Sequence, residues 1–161
     1  MRKVHFIAIG GQGMSGIARI LLSKGYQVTG SDLKRSGLTE KLEQLGATVH
    51  IGHRAENLGD PDVVVVSSAI HDANPELALA KEKAIPIIHR MDMLLEAVTG
   101  KRTVAVAGAH GKTTTTSMIA WILEKAGMDP TYLVGGEIGD EGNAHPGSGD
   151  WAVFETDESD G

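Results

Sequence analysis

Residues 108–116 read Gly-Ala-His-Gly-Lys-Thr-Thr-Thr-Thr, directly after an apolar run over residues 103–107 and before a segment of helical periodicity over residues 117–125. The order of strand, glycine turn, Gly-Lys-Thr and helix is typical of a phosphate-binding loop. Glycines let the backbone approach the phosphates, and the first N–H groups of the helix then point at the anion. The usual pattern, G-x-x-x-x-G-K-[ST], has a glycine where this chain has Val106. The alternative is an ordinary strand-to-helix turn followed by an exposed lysine.

A second glycine-rich turn lies near the start of the chain. Residues 4–9 read as a buried strand, Gly11, Gly13 and Gly16 form G-x-G-x-x-G, and an apolar helical face follows over residues 17–22. A short second strand then ends at Asp32. In dinucleotide-binding units, an acidic residue about 20 positions after the first glycine hydrogen-bonds a ribose hydroxyl. The pattern predicts a nucleotide-diphosphate site, and a turn needed only for close helix packing is the alternative.

The following segments alternate between strand and helix patterns. Strands are predicted over residues 47–51, 62–66 and 85–88, and helices over residues 38–45, 75–83 and 91–98. This alternation predicts an α/β fold with a parallel sheet. Ser67 and Ser68 follow the fourth strand, at the sheet edge where ligands of such folds gather, although strand-end capping explains them equally. His53 follows the third strand and is either a contact of the same site or a surface histidine.

The strand–glycine–helix order begins again after residue 98. We therefore predict a Rossmann-like domain over residues 1–98, a linker over residues 99–101, and the beginning of a phosphate-loop domain over residues 102–161. In the second unit we expect a strand over 132–134, a polar loop over 139–150 and an edge strand over 151–154. The last strand delivers Glu155, our first choice for a second Mg²⁺ contact, with Asp157 on the same face. A solvated acidic loop is the alternative.

Composition narrows the possible partners. The 161 residues carry a net charge of −6 and contain no run of Lys or Arg, which argues against nucleic acid. No apolar stretch approaches the length of a membrane-spanning helix. The chain has no cysteine, which excludes thiol chemistry and fits a cytoplasmic protein. None of the seven histidines pairs with another at metal-ligand spacing.

Taken together, these motifs resemble the Mur ligase family. They are the two glycine loops, Gly30-Ser31-Asp32, the Val-Ser-Ser-Ala-Ile run at 66–70 and the acidic run at 155–161, and their order is kept over residues 4–161. The form Gly-Gly-x-Gly-Met-Ser-Gly at 10–16 favours the branch that joins L-alanine to UDP-N-acetylmuramic acid in peptidoglycan synthesis. The resemblance implies a Rossmann-like domain for the UDP-sugar, followed by a central P-loop domain that binds ATP and Mg²⁺. It also implies that ATP phosphorylates the lactyl carboxylate and that the amine of L-alanine attacks the acyl phosphate.

The resemblance and the strand positions assign roles to individual residues. Lys112 would be catalytic by neutralising charge on the transferred phosphoryl group, and Thr113 and Glu155 would ligate Mg²⁺. Where the family usually has a threonine, this chain has Ala109 and so lacks one hydroxyl near the phosphates. The ATP contacts would be Gly108, Ala109, His110, Gly111, Lys112, Thr113 and Thr114. The UDP-sugar contacts would be Gly11, Gln12, Gly13, Met14, Ser15, Asp32, His53, Ser67 and Ser68.

Members of this family have three domains. We therefore expect the 161 residues to be the N-terminal part of a longer ligase and to be inactive in amide formation alone. Two other functions stay open. The first glycine loop and Asp32 also fit an NAD(P)-dependent oxidoreductase or redox sensor, and the chain could instead be a non-catalytic UDP-sugar-binding module.

Overall fold

The first half of the chain forms a five-stranded parallel sheet. The computed structural model describes residues 1–138 and 142–156, without the side chains of residues 137 and 138. The strands are β1 (Lys3–Ile7), β2 (Gln27–Asp32), β3 (Thr48–Ile51), β4 (Val63–Val66) and β5 (Ile87–His89), in the order β3-β2-β1-β4-β5. The helices are α1 (Gln12–Ser23), α2 (Gly37–Gln44), α3 (Pro75–Glu82) and α4 (Arg90–Ala97), with a short 3₁₀ helix at Ala55–Asn57. This arrangement confirms the Rossmann-like α/β prediction.

The second half forms a separate mixed sheet of four strands. They are β6 (Arg102–Val106), β7 (Thr131–Ile138), β8 (Gly142–His145) and β9 (Trp151–Glu155), and one helix, α5 (Lys112–Lys125), lies between β6 and β7 in the chain. The order across the sheet is β6-β9-β7-β8, with β8 antiparallel to β7 and the other pairs parallel. The predicted division at residues 99–101 falls between the two sheets and stays a prediction. Within the described ranges, no helix has the length and apolar character needed to cross a bilayer.

Two expectations for the second sheet were wrong. The strand expected at an open edge is central, because β9 pairs with β6 on one side and β7 on the other and buries Ala152, Val153 and Phe154. Part of the polar loop expected over residues 139–150 is the strand β8, while residues 139–141 lie outside the described residues. The sequence of β8, Gly-Asn-Ala-His, has little strand propensity, so pairing with β7 decides its conformation.

The side chains of both sheets alternate between two faces, as the period of a strand requires. On β1, Val4 and Phe6 join the core around α1 and α4, whereas Ile7 packs on the opposite side with Leu77 of α3. On the second sheet, Leu133 joins the α1 core. A further cluster of residues packs between this sheet and α5, consisting of Ala120, Tyr132, Val134 and Val153. Helix α1 therefore lies between the two sheets, and one hydrophobic core joins them.

Gly16 allows α1 to approach the second sheet. A Cβ atom at this position would overlap Leu133 Cδ1 and lie 3.1 Å from the Cβ of Ala144. Beside it, the buried side chain of Asn143 donates a hydrogen bond from Nδ2 to the carbonyl of Gln12, at 2.6 Å. The third glycine of G-x-G-x-x-G thus serves close packing, but against strands of the second sheet.

We expect Gly16→Ala to lower the free energy of unfolding by about 1–3 kcal/mol, because the added methyl group overpacks the contact with Leu133. Urea unfolding of the purified chain measures this loss. Gly37→Ala, at the start of α2 where a Cβ atom would meet no neighbour within 4 Å, is the matched control and should be neutral or stabilising. Equal stability of the Gly16→Ala variant and the unmodified chain would contradict the close packing.

Candidate functional site

In the part of the chain that the structure describes, two of the five α-helices begin without a side-chain cap. Side chains of Ser36, Asn74 and His89 accept hydrogen bonds from the first N–H groups of α2, α3 and α4. In contrast, α1 and α5 start after Gly11 and Gly111 with no side-chain cap hydrogen bond. Gly111 has φ +77°, a left-handed backbone that glycine adopts without strain. Uncapped helix N-termini bind anions, and these two follow the glycine loops identified in the sequence.

Asp32 closes the first glycine loop. Its Oδ2 accepts a hydrogen bond from the N–H of Gly10 at 2.9 Å, and its Oδ1 accepts one from the N–H of Lys34 at 3.2 Å. A Cβ atom on Gly10 would lie 2.9 Å from Oδ2, so glycine is required at this contact. Asp32 remains partly exposed at the carboxyl end of β2. This is the position at which a ribose acceptor was predicted, and that role stays a prediction.

The first turn of α1 offers mainly backbone groups. The side chains of Met14 and Ser15 are buried, and Ser15 Oγ donates to the carbonyl of Gln12 at 3.0 Å. These two predicted contacts can therefore reach a ligand only through the backbone. Gln12 is exposed, and a Cβ atom on Gly13 would lie 2.6 Å from Nη1 of Arg90, which stands at the start of α4.

A cavity of about 460 Å³ opens at the carboxyl ends of β1 and β2. Its wall is mainly apolar, with a few polar side chains; the lining residues are Ala8, Asp32, Leu33, His53, Ala69, Ile70, His71, Asn74 and Pro75. The predicted contacts Ser67 and Ser68 lie at the end of β4 and are not among these lining residues, whereas Ala69, Ile70, His71 and Asn74 of the same loop are. Strand order reverses between β1 and β4, where open α/β sheets bind their ligands.

A buried carboxylate lies behind this cavity. Oε2 of Glu76 accepts hydrogen bonds from His5 Nε2 at 2.7 Å and from Ser31 Oγ at 2.8 Å. Oε1 accepts from the Arg54 N–H at 3.1 Å and from Asn57 Nδ2 at 3.3 Å. Burial by itself raises the pKa of Glu76, but the hydrogen bonds from His5, Ser31 and Asn57 outweigh burial and hold the pKa below its ordinary value of 4.5. Glu76 is therefore ionised at neutral pH.

His53 connects this carboxylate to the cavity. Its Nδ1 lies 2.8 Å from Ser31 Oγ and 3.4 Å from Glu76 Oε1. The side chain is only 14% exposed, and it lines the cavity. His53 is thus a fixed wall residue and not a surface histidine.

The second glycine loop lies beside Glu155. Lys112 Nζ donates to the carbonyl of Gly108 at 2.9 Å, within the loop. Glu155 accepts from Thr113 Oγ1 at 3.2 Å and from the Gly135 N–H at 2.7 Å. A Cβ atom on Gly135 would lie 2.9 Å from Glu155 Oε2 and 3.1 Å from Thr113 Oγ1. The other predicted ATP contacts in this loop are exposed: Gly108, Ala109, His110, Gly111 and Thr114.

Thr113 and Glu155 could ligate Mg²⁺ together, because both offer oxygen atoms and their side chains are in hydrogen-bond contact. Mg²⁺ commonly takes one or two protein oxygens and completes its shell with water and phosphate oxygens. Across residues 1–138 and 142–156, no group of three or more His, Cys, Asp and Glu side chains stands ready to hold a metal. Asp157, the other predicted acidic contact, lies outside the described residues.

The first glycine loop and Glu155 of the second site line one cleft of about 160 Å³. The start of α1 and the start of α4 form one wall, and strands β7 and β9 form the other. Its lining residues are Gln12, Gly13, Ile17, Arg90, Met91, Leu133, Val134, Gly135 and Glu155. A ligand held by the first loop can therefore extend toward the carboxylate of the second.

Three residues at these sites were not found from the sequence. Arg90 directly follows β5, so its position at the carboxyl end of a parallel strand was an available signal. Gly135 lies inside β7, where a glycine often marks close approach of another group. Glu76 lies in the first turn of α3, where acidic residues are common on the surface, and no local pattern distinguishes it.

Comparison with protein families identifies relatives of this chain. A family model described as "Mur ligase family, catalytic domain" matches residues 3–102. The UDP-N-acetylmuramate–L-alanine ligase of Carboxydothermus hydrogenoformans is 60% identical over 163 residues, and that of Geotalea daltonii is 54% identical over 162 residues. Each alignment covers 100% of this chain but 35% of the relative, so the chain spans about a third of the length of these relatives.

Solved structures show the same fold. The crystal structure of a UDP-N-acetylmuramate–alanine ligase from Thermotoga maritima superposes with a TM-score of 0.90 at 37% identity, covering 98% of this chain and 37% of that one. A murein peptide ligase from Psychrobacter arcticus also superposes with a TM-score of 0.90, at 30% identity, covering 99% of this chain and 38% of that one.

We expect Glu76→Gln to lower the free energy of unfolding by about 2–3 kcal/mol at pH 7, because the buried donors lose a charged acceptor. The folded-state pKa of Glu76 is depressed, so the carboxylate contributes stability above pH 4.5 that is lost as pH falls through the folded-state pKa. The stability difference should therefore shrink as the pH falls below 4.5 and through the lower folded-state pKa. Urea unfolding at a series of pH values measures it.

Asp72→Asn is the matched control, because Asp72 is 89% exposed and forms a surface ion pair with Lys81. Its effect on stability should be negligible, because solvent screens an exposed ion pair. If Glu76→Gln lowers the free energy of unfolding by the same amount at every pH, the charge of Glu76 contributes nothing to stability.

Proposed function

The chain belongs to the Mur ligase family, and on that premise we propose that it is the N-terminal part of an ATP-dependent ligase joining L-alanine to UDP-N-acetylmuramic acid. The observation that carries the proposal is the common cleft, in which the first glycine loop faces Glu155 of the second site. A ligase of this kind must bring the muramyl carboxylate to the terminal phosphate of ATP. A protein that binds a single nucleotide would need no second phosphate-binding loop.

The first site is assigned to the UDP-sugar. The uncapped N–H groups at the start of α1 bind the diphosphate, with Gly11 and Gly13 leaving room for its approach. Asp32, held by the Gly10 N–H, meets the ribose end of the nucleotide. The apolar cavity beside Asp32 then accommodates the uracil base. Met14 and Ser15 take part through backbone groups only.

The second site is assigned to ATP. The N–H groups at the start of α5 bind the phosphates, and Lys112 exchanges the carbonyl of Gly108 for the terminal phosphate. Thr113 and Glu155 hold Mg²⁺, and Gly135 orients Glu155 through its N–H. When bound, Mg²⁺ would neutralise charge on the phosphates of ATP.

The proposed reaction has two steps. A carboxylate oxygen of the lactyl group attacks the terminal phosphorus of ATP, and ADP leaves. The amine of L-alanine then attacks the acyl phosphate, and phosphate leaves as the amide forms. The described residues contribute positioning and charge neutralisation, which dominate catalysis of phosphoryl transfer.

The identity of the amino acid rests on the relatives. Their structures alone do not separate the alanine ligase from the murein peptide ligase, because both superpose equally well. Curated relatives at 54–60% identity carry the alanine ligase name, which favours L-alanine. The cytoplasmic location predicted from the absence of cysteine stays a prediction.

Calorimetric titration tests the first site. We expect the 161-residue chain to bind UDP-N-acetylmuramic acid and not NADH, because the cavity is assigned to a uridine nucleotide. Titration with UDP alone should retain much of the affinity, since the α1 N-terminus binds the diphosphate. Binding of NADH in place of the UDP-sugar would favour the oxidoreductase alternative and overturn the proposal.

Gly135→Ala tests the second site. The added Cβ atom would press on Glu155 and Thr113, so we expect Mg²⁺ to raise the affinity for ATP in the unmodified chain and to lose most of that effect in the variant. Titration with ATP in the presence and absence of Mg²⁺ measures both values. Gly37→Ala, at the start of α2 where the added Cβ atom meets no neighbour within 4 Å, should behave like the unmodified chain. Unchanged Mg²⁺ dependence in Gly135→Ala would argue against Glu155 as a metal ligand.

A further inference from the structure

We propose that Glu76 and Ser31 fix His53 in the tautomer that carries its proton on Nδ1. The Nε2 atom then faces the cavity as a hydrogen-bond acceptor and selects uracil over cytosine. This inference rests on the proposed function, because it assigns the cavity to the base of a nucleotide. It adds a specificity device and makes Glu76 a positioning residue for that site.

The position of the proton follows from the donors and acceptors around Glu76. An ionised carboxylate accepts hydrogen bonds only, so the hydroxyl of Ser31 donates its single hydrogen to Oε2. Ser31 Oγ then has only acceptor capacity left for His53 Nδ1, 2.8 Å away. Oε1 of Glu76, 3.4 Å from the same nitrogen, is also an acceptor. Nδ1 of His53 must therefore be the donor, and it carries the proton.

Side chains from three elements keep the carboxylate of Glu76 on α3 ionised. His5 comes from β1, Ser31 from β2 and Asn57 from the 3₁₀ helix. All three partners can donate to Glu76, and together they hold its pKa below the ordinary value despite burial. The carboxylate is thus an acceptor at neutral pH, which fixes the direction of the contacts that His53 Nδ1 makes with Ser31 and Glu76.

The other ring nitrogen is left for a ligand. The Nδ1 edge of His53 is turned inward to Ser31 and Glu76, while the ring lines the cavity. In a neutral imidazole with the proton on Nδ1, Nε2 bears a lone pair and accepts a hydrogen bond. We therefore infer an acceptor in the wall of the cavity, beside apolar side chains that suit a flat base.

This acceptor distinguishes the two common pyrimidines. Uracil presents an N–H at ring position 3, which donates to Nε2. Cytosine presents a lone pair at the same position, which would face the lone pair of Nε2. Burying Nε2 without a donor costs more free energy than a weak contact with the base would gain. Cytosine is therefore rejected.

The tautomer can be read directly by nitrogen NMR. Long-range ¹H–¹⁵N correlation spectra of the histidine rings, recorded at pH 8 with ¹⁵N-labelled chain, distinguish protonated from unprotonated ring nitrogens. The His53 ring is identified by the signals that disappear in His53→Phe. We expect protonated Nδ1 and unprotonated Nε2. Protonation on Nε2, or on both nitrogens at this pH, would overturn the inference.

Base selection is measured by calorimetric titration with UDP and CDP. We expect UDP to bind about tenfold or more tightly than CDP, the effect of one well-placed hydrogen bond. Ser31→Ala removes the closer acceptor of the Nδ1 proton. Only Glu76 Oε1, at the longer distance of 3.4 Å, then holds this proton, so the ring can also carry it on Nε2 and donate to cytosine. The preference should therefore fall to about threefold or less. Ser23→Ala, which removes a hydroxyl donating to Ile20 at the end of α1, is the matched control and should keep the preference.

The outcomes separate this inference from the proposed function. If the unmodified chain binds neither UDP nor UDP-N-acetylmuramic acid, the proposed function fails, while the NMR spectrum still decides the tautomer. If UDP binds but CDP binds equally well, or if a folded Ser31→Ala chain keeps the full preference, the role of His53 is wrong and the nucleotide site stands. Should Ser31→Ala fail to fold, the spectrum and the UDP-to-CDP ratio of the unmodified chain decide.

Discussion

The absence of a side chain at Gly16 is the constraint on which the packing of α1 between the two sheets depends. It lets α1 lie directly on β7 and β8, where Leu133 and Ala144 occupy the space that a Cβ atom would need. The contact lies one turn after the start of α1, so it fixes the end of the helix that carries the first glycine loop. The hydrogen bond from Asn143 to the carbonyl of Gln12 fixes the same turn. The distance between the two sites is therefore set by packing and not by the connecting segment.

Both sites use the same local device with different supports. In each, a parallel strand runs into a glycine turn and a helix without a side-chain cap, which leaves N–H groups for an anion. Asp32 supports the first loop from the neighbouring strand β2 through the Gly10 N–H. Glu155 supports the second from β9, but it depends on the Gly135 N–H of β7 as well. The support of the first loop is thus complete within two adjacent strands, whereas the support of the second requires the assembled sheet.

The sequence revealed the features that are encoded locally. Glycine spacing, the preceding apolar strands and the acid at the end of β2 predicted both loops and the five-stranded sheet. The place of β9 was not predictable in this way, because a strand's neighbours depend on how later segments return to the sheet. β8 was missed because Asn143 and Ala144 are strand residues only through pairing and contact with α1. Glu76 was missed because its burial results from His5 and Ser31, which are distant in sequence.

Strand β7 links the packing of α1 to the second site. Leu133 points into the core around α1, and two residues later on the same face the backbone of Gly135 holds Glu155. Neither Leu133 nor Gly135 can move far. Leu133 is in close contact with α1 at Gly16, and Gly135 is in close contact with Thr113 and Glu155. Protein interiors are close-packed, so a shift of α1 would move β7 rather than be absorbed by a gap. The cleft geometry is therefore a property of one continuous packed unit, in which the first glycine loop and the carboxylate of the second site are held by the same strand.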